Sequence, residues 1–189
     1  MNIVIIDGFA INPGDLSWDF LARFGSYTVY DRSTPEEVIP RLREAEIVVT
    51  NRVKIDRTVL DACPRIRFVS AFGTGYDMID VATCRERGIE VCNIPGYSTT
   101  AVAQFAFTLL LSLSTDIPAY RRAVREGLWT GMPCFAYPSI PYIELVGKTV
   151  GVYGCGAIGA RFAHLCSAFG MRVLAYRCTP PSETEEGIT

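Results

Sequence analysis

The sequence predicts an α/β protein: a parallel β-sheet with helices on its faces, followed by the opening of a second strand–helix–strand unit. Three features carry this expectation. Short branched apolar runs alternate with helical segments through the first half of the chain. A glycine-rich turn, Gly154-Cys155-Gly156-Ala157-Ile158-Gly159, stands between a strand pattern and a helix pattern in the second half. The composition, 49% hydrophobic and 20% charged over 189 residues, is that of an ordinary globular chain able to bury a core.

In chain order, Ile3 to Ile6 is a continuous branched run closed by Asp7-Gly8, the pattern of a buried strand and its turn. Trp18, Phe20, Leu21 and Phe24 recur at helical spacing and predict a helix that Gly25 ends. Thr28-Val29-Tyr30 reads as the second strand. Thr34 with Glu37 three residues later forms a capping box, and Pro35 suits the first helical turn. Pro40 removes a backbone bond inside that helix and predicts a kink or a short helix. Ile47-Val48-Val49-Thr50 is the third strand, residues 58–62 a short helix before Cys63-Pro64, and residues 67–71 the fourth strand. Asp80 caps a helix to Arg87, Gly88 ends it, and Glu90-Val91-Cys92 is the fifth strand.

After Pro95-Gly96, residues 98–113 form a helix that is apolar nearly all round, the mark of a core or a subunit interface. Residues 127–141, rich in Gly, Pro and aromatics, predict an irregular connection. A strand over 148–153 leads into the glycine turn, then a helix over 160–169, then a strand over 172–176. The polar stretch 180–187, with Glu183, Glu185 and Glu186, predicts no regular structure.

Several function classes are excluded. Lys plus Arg is 18 and Asp plus Glu 20, a net charge of −2, which provides no basic footprint for nucleic acid. The longest apolar run, 101–113, is broken by Gln104, Thr108 and Ser112, and falls short of the roughly 18 residues a membrane span needs. Nothing at the start resembles a signal peptide, so a cytoplasmic protein is expected. The seven cysteines at 63, 84, 92, 134, 155, 166 and 178 form no Cys-x-x-Cys pair and read as reduced thiols, with no metal site.

The glycine turn points to chemistry. In a strand–turn–helix setting the first glycine makes the tight bend, the second lets the backbone approach a pyrophosphate, and the third lets helix and strand pack closely. Free N–H groups and the helix dipole then meet the phosphates. The slot that usually carries an acid for the ribose 2′-hydroxyl is occupied by Arg177, 23 residues after Gly154. A guanidinium pairs with a 2′-phosphate, which tilts the expectation from NAD toward NADP; a solvated arginine with NAD bound remains the other reading. Cys155 is either a small filler of the turn or a thiolate favoured by the helix N-terminus. His164, the single histidine, reads as an ordinary helix residue. Gly73-Thr74-Gly75 follows the fourth strand, at the sheet edge where parallel folds bind ligands, and is either a carboxylate-holding turn or a plain one.

Further motifs carry a family resemblance. Gly73-Thr74-Gly75-Tyr76-Asp77, Asp80, Arg87-Gly88-Ile89, Asn93-Ile94-Pro95-Gly96-Tyr97-Ser98-Thr99, Val102-Ala103-Gln104, Gly127-Leu128-Trp129 and Glu144-Leu145-Val146-Gly147-Lys148-Thr149 resemble, in order, the D-isomer-specific 2-hydroxyacid dehydrogenases. Thr50-Asn51-Arg52-Val53-Lys54-Ile55-Asp56 is most similar to the glycerate dehydrogenase (hydroxypyruvate reductase) branch. The resemblance implies a flavodoxin-like substrate domain over 1–97 and a Rossmann-type NAD(P)-binding domain over 98–189, with the active site in the cleft between. It implies reversible reduction of a small 2-keto acid, such as hydroxypyruvate or glyoxylate, to a D-2-hydroxy acid. It places the substrate carboxylate on the Thr74 and Gly75 N–H groups, with Thr74 also bordering the nicotinamide. Ala157 and Ile158 join Gly154, Gly156 and Gly159 around the pyrophosphate. Asn51 and Arg52 face the cleft, where Arg52 either assists the anionic substrate or is simply an exposed charge. A homodimer through the 98–113 helix is implied as well.

The family's catalytic Arg, Glu and His come from segments after the second Rossmann strand, so no catalytic residue is assigned within these 189 residues. The expectation is therefore a chain truncated after that strand, inactive by itself. The alternative is a shortened non-catalytic paralogue that binds nucleotide or regulates a partner.

Overall fold

Strand and helix order along the chain explains why the first half closes into one layer pair. In the computed structural model, which describes residues 1–135 and 140–178, five short strands form a wholly parallel sheet. They are β1 (Asn2–Ile5), β2 (Ser26–Val29), β3 (Ile47–Thr50), β4 (Phe68–Ala71) and β5 (Glu90–Cys92), in the order β2-β1-β3-β4-β5. Alternation along each strand sends side chains to opposite faces. Val4, Ile6, Val48 and Val69 pack under α1 (Pro35–Leu42), α2 (Arg57–Ala62) and α3 (Val81–Glu86), against Val38, Leu42, Leu60 and Cys84. Ile3, Ile5 and Val49 face the other way, onto Trp18, Leu21, Tyr27 and Phe72. Burial on both faces is the reason these strands are nearly continuous branched apolar runs.

The helices begin where side chains satisfy their free N–H groups. At α1 the Glu37 carboxylate accepts the Thr34 N–H at 2.9 Å, in the expected capping box. Asp56 accepts the Val59 N–H at 3.1 Å at α2, and Asp80 the Thr83 N–H at 2.9 Å at α3. Helix α1 runs through Pro40 and stops two residues later, as a short helix.

The helix expected around 18–24 is instead a 3₁₀ turn over Asp19–Arg23. Its bonds run from the Leu21 N–H to the Trp18 carbonyl and from the Phe24 N–H to the Leu21 carbonyl, both 2.9 Å. The tighter winding stacks Trp18 on Phe72, with ring centroids 5.9 Å apart, and leaves Phe20 and Phe24 about half exposed.

The chain divides into two compact units, Met1–Tyr97 and a second that begins at Ser98. In the second unit, β6 (Thr149–Tyr153) and β7 (Arg172–Tyr176) pair in parallel. The long α4 (Thr99–Ser114) and α6 (Ala157–Ala168) pack together on one face of this ribbon. Phe107 of α4 meets Phe162 and Phe169 edge-on, beside Val152, Ala163, Cys166 and Val173. On the other face Tyr153 and Tyr176 stack at 5.0 Å and stay exposed.

Two corrections belong to this unit. Helix α6 starts at Ala157, three residues before the expected position, because Gly156 already serves as its N-cap; Gly159 therefore lies inside the helix. A further helix, α5 (Ile117–Arg125), occupies a stretch where the sequence had suggested none. The Asp116 carboxylate accepts the Ala119 N–H at 2.9 Å, and Pro118 sits in the first turn, where its missing donor does no harm. Residues 136–139 of the expected irregular connection, and the polar stretch with Glu183, Glu185 and Glu186, lie outside the described residues. Among the described residues no helix is long and apolar enough to cross a membrane.

Candidate functional site

In the first unit, all the loops that leave the sheet at its C-terminal edge converge. Thr50 is fully buried, and its hydroxyl donates to the Val53 carbonyl at 2.9 Å, bending the chain sharply as it leaves β3. The next residues are Asn51, half-buried, and Arg52, exposed. The Phe72 N–H donates to the Thr50 carbonyl at 2.8 Å, which ties the exit of β4 to the exit of β3. Asn51 Oδ1 thereby comes within 3.8 Å of where a side chain on Gly73 would begin.

The Gly73–Gly75 turn is held from its far side. The Ile94 N–H donates to the Gly73 carbonyl at 2.9 Å, the Thr74 hydroxyl donates to the Ile94 carbonyl at 3.0 Å, and Asn93 Nδ2 donates to the Thr74 carbonyl at 2.8 Å. These bonds use the carbonyls and the hydroxyl of the turn. Among the described residues no acceptor meets the Thr74 or Gly75 N–H, and both residues are exposed. Two acceptor-free amides on exposed residues at the end of a parallel strand can hold an anion such as a carboxylate. Beside them, Asn51, Phe72, Ile94, Tyr97 and Trp18 line a cavity of about 410 Å³. Arg52 and Lys54 line a second cavity, of about 940 Å³, together with Asp7 and Arg32.

Asp7 drew no role from the sequence, yet it organises this edge. Its carboxylate, only 7% exposed, accepts N–H groups from Asn51 and Arg52 at 2.6–3.0 Å and from Val53 at 3.4 Å. The signal was an acid placed directly after a buried apolar strand, where a charge needs partners.

In the second unit the glycine turn hangs from β7. The Tyr176 carbonyl accepts the Gly154 N–H at 2.9 Å and the Cys155 N–H at 3.1 Å. Gly154 has φ +97°, a left-handed backbone that suits glycine. A Cβ at Gly159 would overlap the Gly154 carbonyl oxygen, whereas a Cβ at Gly156 would meet nothing within 4 Å. Helix α6 has no side-chain cap, and among the described residues the N–H groups of Gly156, Ala157, Ile158 and Gly159 meet no acceptor. The turn is thus an open cradle of amides at the positive end of a helix, and its donor set fits a pyrophosphate. Arg177, exposed, directly follows the carbonyl that anchors the cradle.

Cys155, within the turn, is buried, 8% exposed. His164 is exposed on α6, five residues beyond Gly159.

Comparison with known proteins places this arrangement. The D-isomer specific 2-hydroxyacid dehydrogenase catalytic-domain family matches residues 4–188. A hydroxypyruvate reductase of Blautia hydrogenotrophica is 45% identical over 179 residues, which is 93% of this chain and 56% of that protein. A glycerate dehydrogenase of Methylorubrum extorquens is 34% identical over 155 residues, covering 82% of this chain and 49% of that protein. The chain spans about half the length of these relatives. Among solved structures, an acyclic imino acid reductase in complex with NADPH and D-Arg superimposes with a TM-score of 0.74 at 29% identity, over 100% of this chain and 59% of that one. D-lactate dehydrogenase from Aquifex aeolicus, complexed with NAD and lactic acid, gives 0.73 at 26% identity, over 96% of this chain and 53% of that one.

Proposed function

The chain belongs to the D-isomer specific 2-hydroxyacid dehydrogenase family, and from that premise we propose that its two units divide one reaction between them. The first unit takes a small 2-keto acid, of the size of hydroxypyruvate or glyoxylate. The N–H groups of Thr74 and Gly75 hold its carboxylate, and Arg52, on the loop after β3 at the same sheet edge, adds a positive charge. The second unit takes the dinucleotide, with its pyrophosphate on the amides of Gly154, Gly156, Ala157, Ile158 and Gly159. When bound, the reduced nicotinamide supplies the hydride that converts the keto carbon to a D-alcohol.

The single observation that carries this reading is the cradle at Gly156: four successive amides without acceptors among the described residues, open to the outside at the positive end of α6. The names of relatives that reduce hydroxypyruvate and glyoxylate support the substrate class. Arg177 favours NADPH over NADH, because a guanidinium neutralises the 2′-phosphate that an acid in the same slot would repel.

Proton transfer needs a group near the keto oxygen; His164 is an exposed residue in the middle of α6. No such role is assigned to it. The exposed stripe Val102, Phe105, Leu109 and Leu113 on α4, with Leu113 82% exposed, is the surface through which two copies pair.

Calorimetric titration tests the reading. One dinucleotide should bind per chain, NADPH more tightly than NADH. Failure of both dinucleotides to bind a folded chain contradicts the proposal.

A further inference from the structure

Asp7 is a buried carboxylate that the mechanism above does not use. It lies just past the end of β1, and its Oδ2 accepts three successive N–H groups, from Asn51 at 3.0 Å, Arg52 at 2.6 Å and Val53 at 3.4 Å, while Oδ1 accepts Asn51 at 2.9 Å. Consecutive amides folded around one oxygen form a concave anion seat. Here the anion belongs to the protein itself. No ion pair to Asp7 is found among the described residues, so these amides are its compensation for burial. The dependence is mutual, because removing the carboxylate leaves several half-buried donors without an acceptor.

The loop so clamped bears directly on cavity-lining side chains. Asn51 lines the smaller cavity with Phe72 and Tyr97, and Arg52 lines the larger one with Arg32 and Lys54. The Thr50 hydroxyl closes the same bend on the Val53 carbonyl at 2.9 Å. With both sides of Arg52 tied, the base of a long and otherwise mobile side chain is fixed. Binding an anion then orders only its outer torsions, whereas a loop free to shift by about an ångström can lose orders of magnitude in productive contact.

We propose that Asp7 is a positioning residue: through the N–H groups of Asn51, Arg52 and Val53 it fixes the loop from which Arg52 meets the acid substrate. The proposal rests on the role given to Arg52 above. A purely structural carboxylate would stabilise the unit without making acid affinity depend on Arg52.

The test titrates tartronate, an acid that cannot be reduced as a keto acid, into the full chain while backbone amide signals are followed by NMR. The variants are Asp7→Ala, Asp7→Asn, Arg52→Gln and the double variant Asp7→Ala with Arg52→Gln. Asp7→Ala should displace the 51–53 amide signals and weaken tartronate roughly tenfold, about as much as Arg52→Gln does. The double variant should be no weaker than Arg52→Gln alone, since both changes remove one interaction. Asp7→Asn, which keeps the volume and one acceptor oxygen, should fall between wild type and Asp7→Ala; it carries the same comparison if Asp7→Ala does not fold. Additive losses overturn the proposal, and so does undiminished affinity in both Asp7 variants while Arg52→Gln weakens binding. If Arg52→Gln itself has no effect, or the wild type does not bind tartronate, the assignment of Arg52 falls and the proposal falls with it.

Discussion

At the scale of single residues, the cradle separates two glycines that look equivalent in the sequence. Gly159→Ala drives a methyl into the Gly154 carbonyl, a backbone atom that cannot swing aside. It should cost about 1–3 kcal/mol and lower the melting temperature of the second unit. Gly156→Ala meets open space and an extended backbone, so stability should change by less than about 1 kcal/mol. Its methyl would nonetheless stand where the pyrophosphate is placed, and NADPH affinity should fall about tenfold or more. Thermal melts beside calorimetric titrations distinguish the two. Arg177→Asp should reverse the preference to NADH over NADPH; an unchanged ratio would return Arg177 to the solvated surface. The spacing of the glycines was legible in the sequence because each answers to local geometry. Asp7 was not, because its meaning depends on three amides more than forty residues away.

At the scale of elements, β1, β3 and β4 could be read directly, since burial on both faces leaves few alternatives to branched apolar residues. The segment around Trp18 misled because three aromatics and a leucine at helical spacing also fit a 3₁₀ turn, and the distant Phe72, on which Trp18 stacks, is not visible in the local pattern. Helix α5 carried a readable start in Asp116-Ile117-Pro118, masked by the Gly- and Pro-rich stretch after it. The caps give a pH dependence. The Thr83 hydroxyl, and then its N–H, hold the Asp80 carboxyl below the ordinary carboxylate range, and the Asn2 N–H does the same for Glu46. Both lowered values mean stabilisation that is present above the ordinary carboxylate pKa and is lost as pH falls through the folded-state values. The melting temperature of the first unit should therefore drop between about pH 5 and pH 3, and Asp80→Asn should flatten that slope. Leu42, fully buried where α1 meets the sheet, should cost about 2–5 kcal/mol as Leu42→Ala. On α4, Leu109→Glu puts a charge in the proposed pairing stripe and should yield monomers in sedimentation without weakening NADPH.

At the scale of the whole molecule, the proposed reading gives the first unit an acid-binding edge built from loops after β1, β3, β4 and β5, and the second a phosphate cradle between β6 and α6. Burial pushes the Cys63, Cys84 and Cys166 thiols up, so they should resist alkylation in the folded chain while the exposed Cys92 and Cys178 react. The most direct test of the central claim follows the backbone amides of residues 154–159 by NMR as NADPH is added. The account predicts that the signals of Gly156, Ala157, Ile158 and Gly159 move together, saturate with one dinucleotide per chain, and cease to respond in Gly156→Ala. Binding that leaves those four amides unmoved, or that survives Gly156→Ala at full strength, would contradict it.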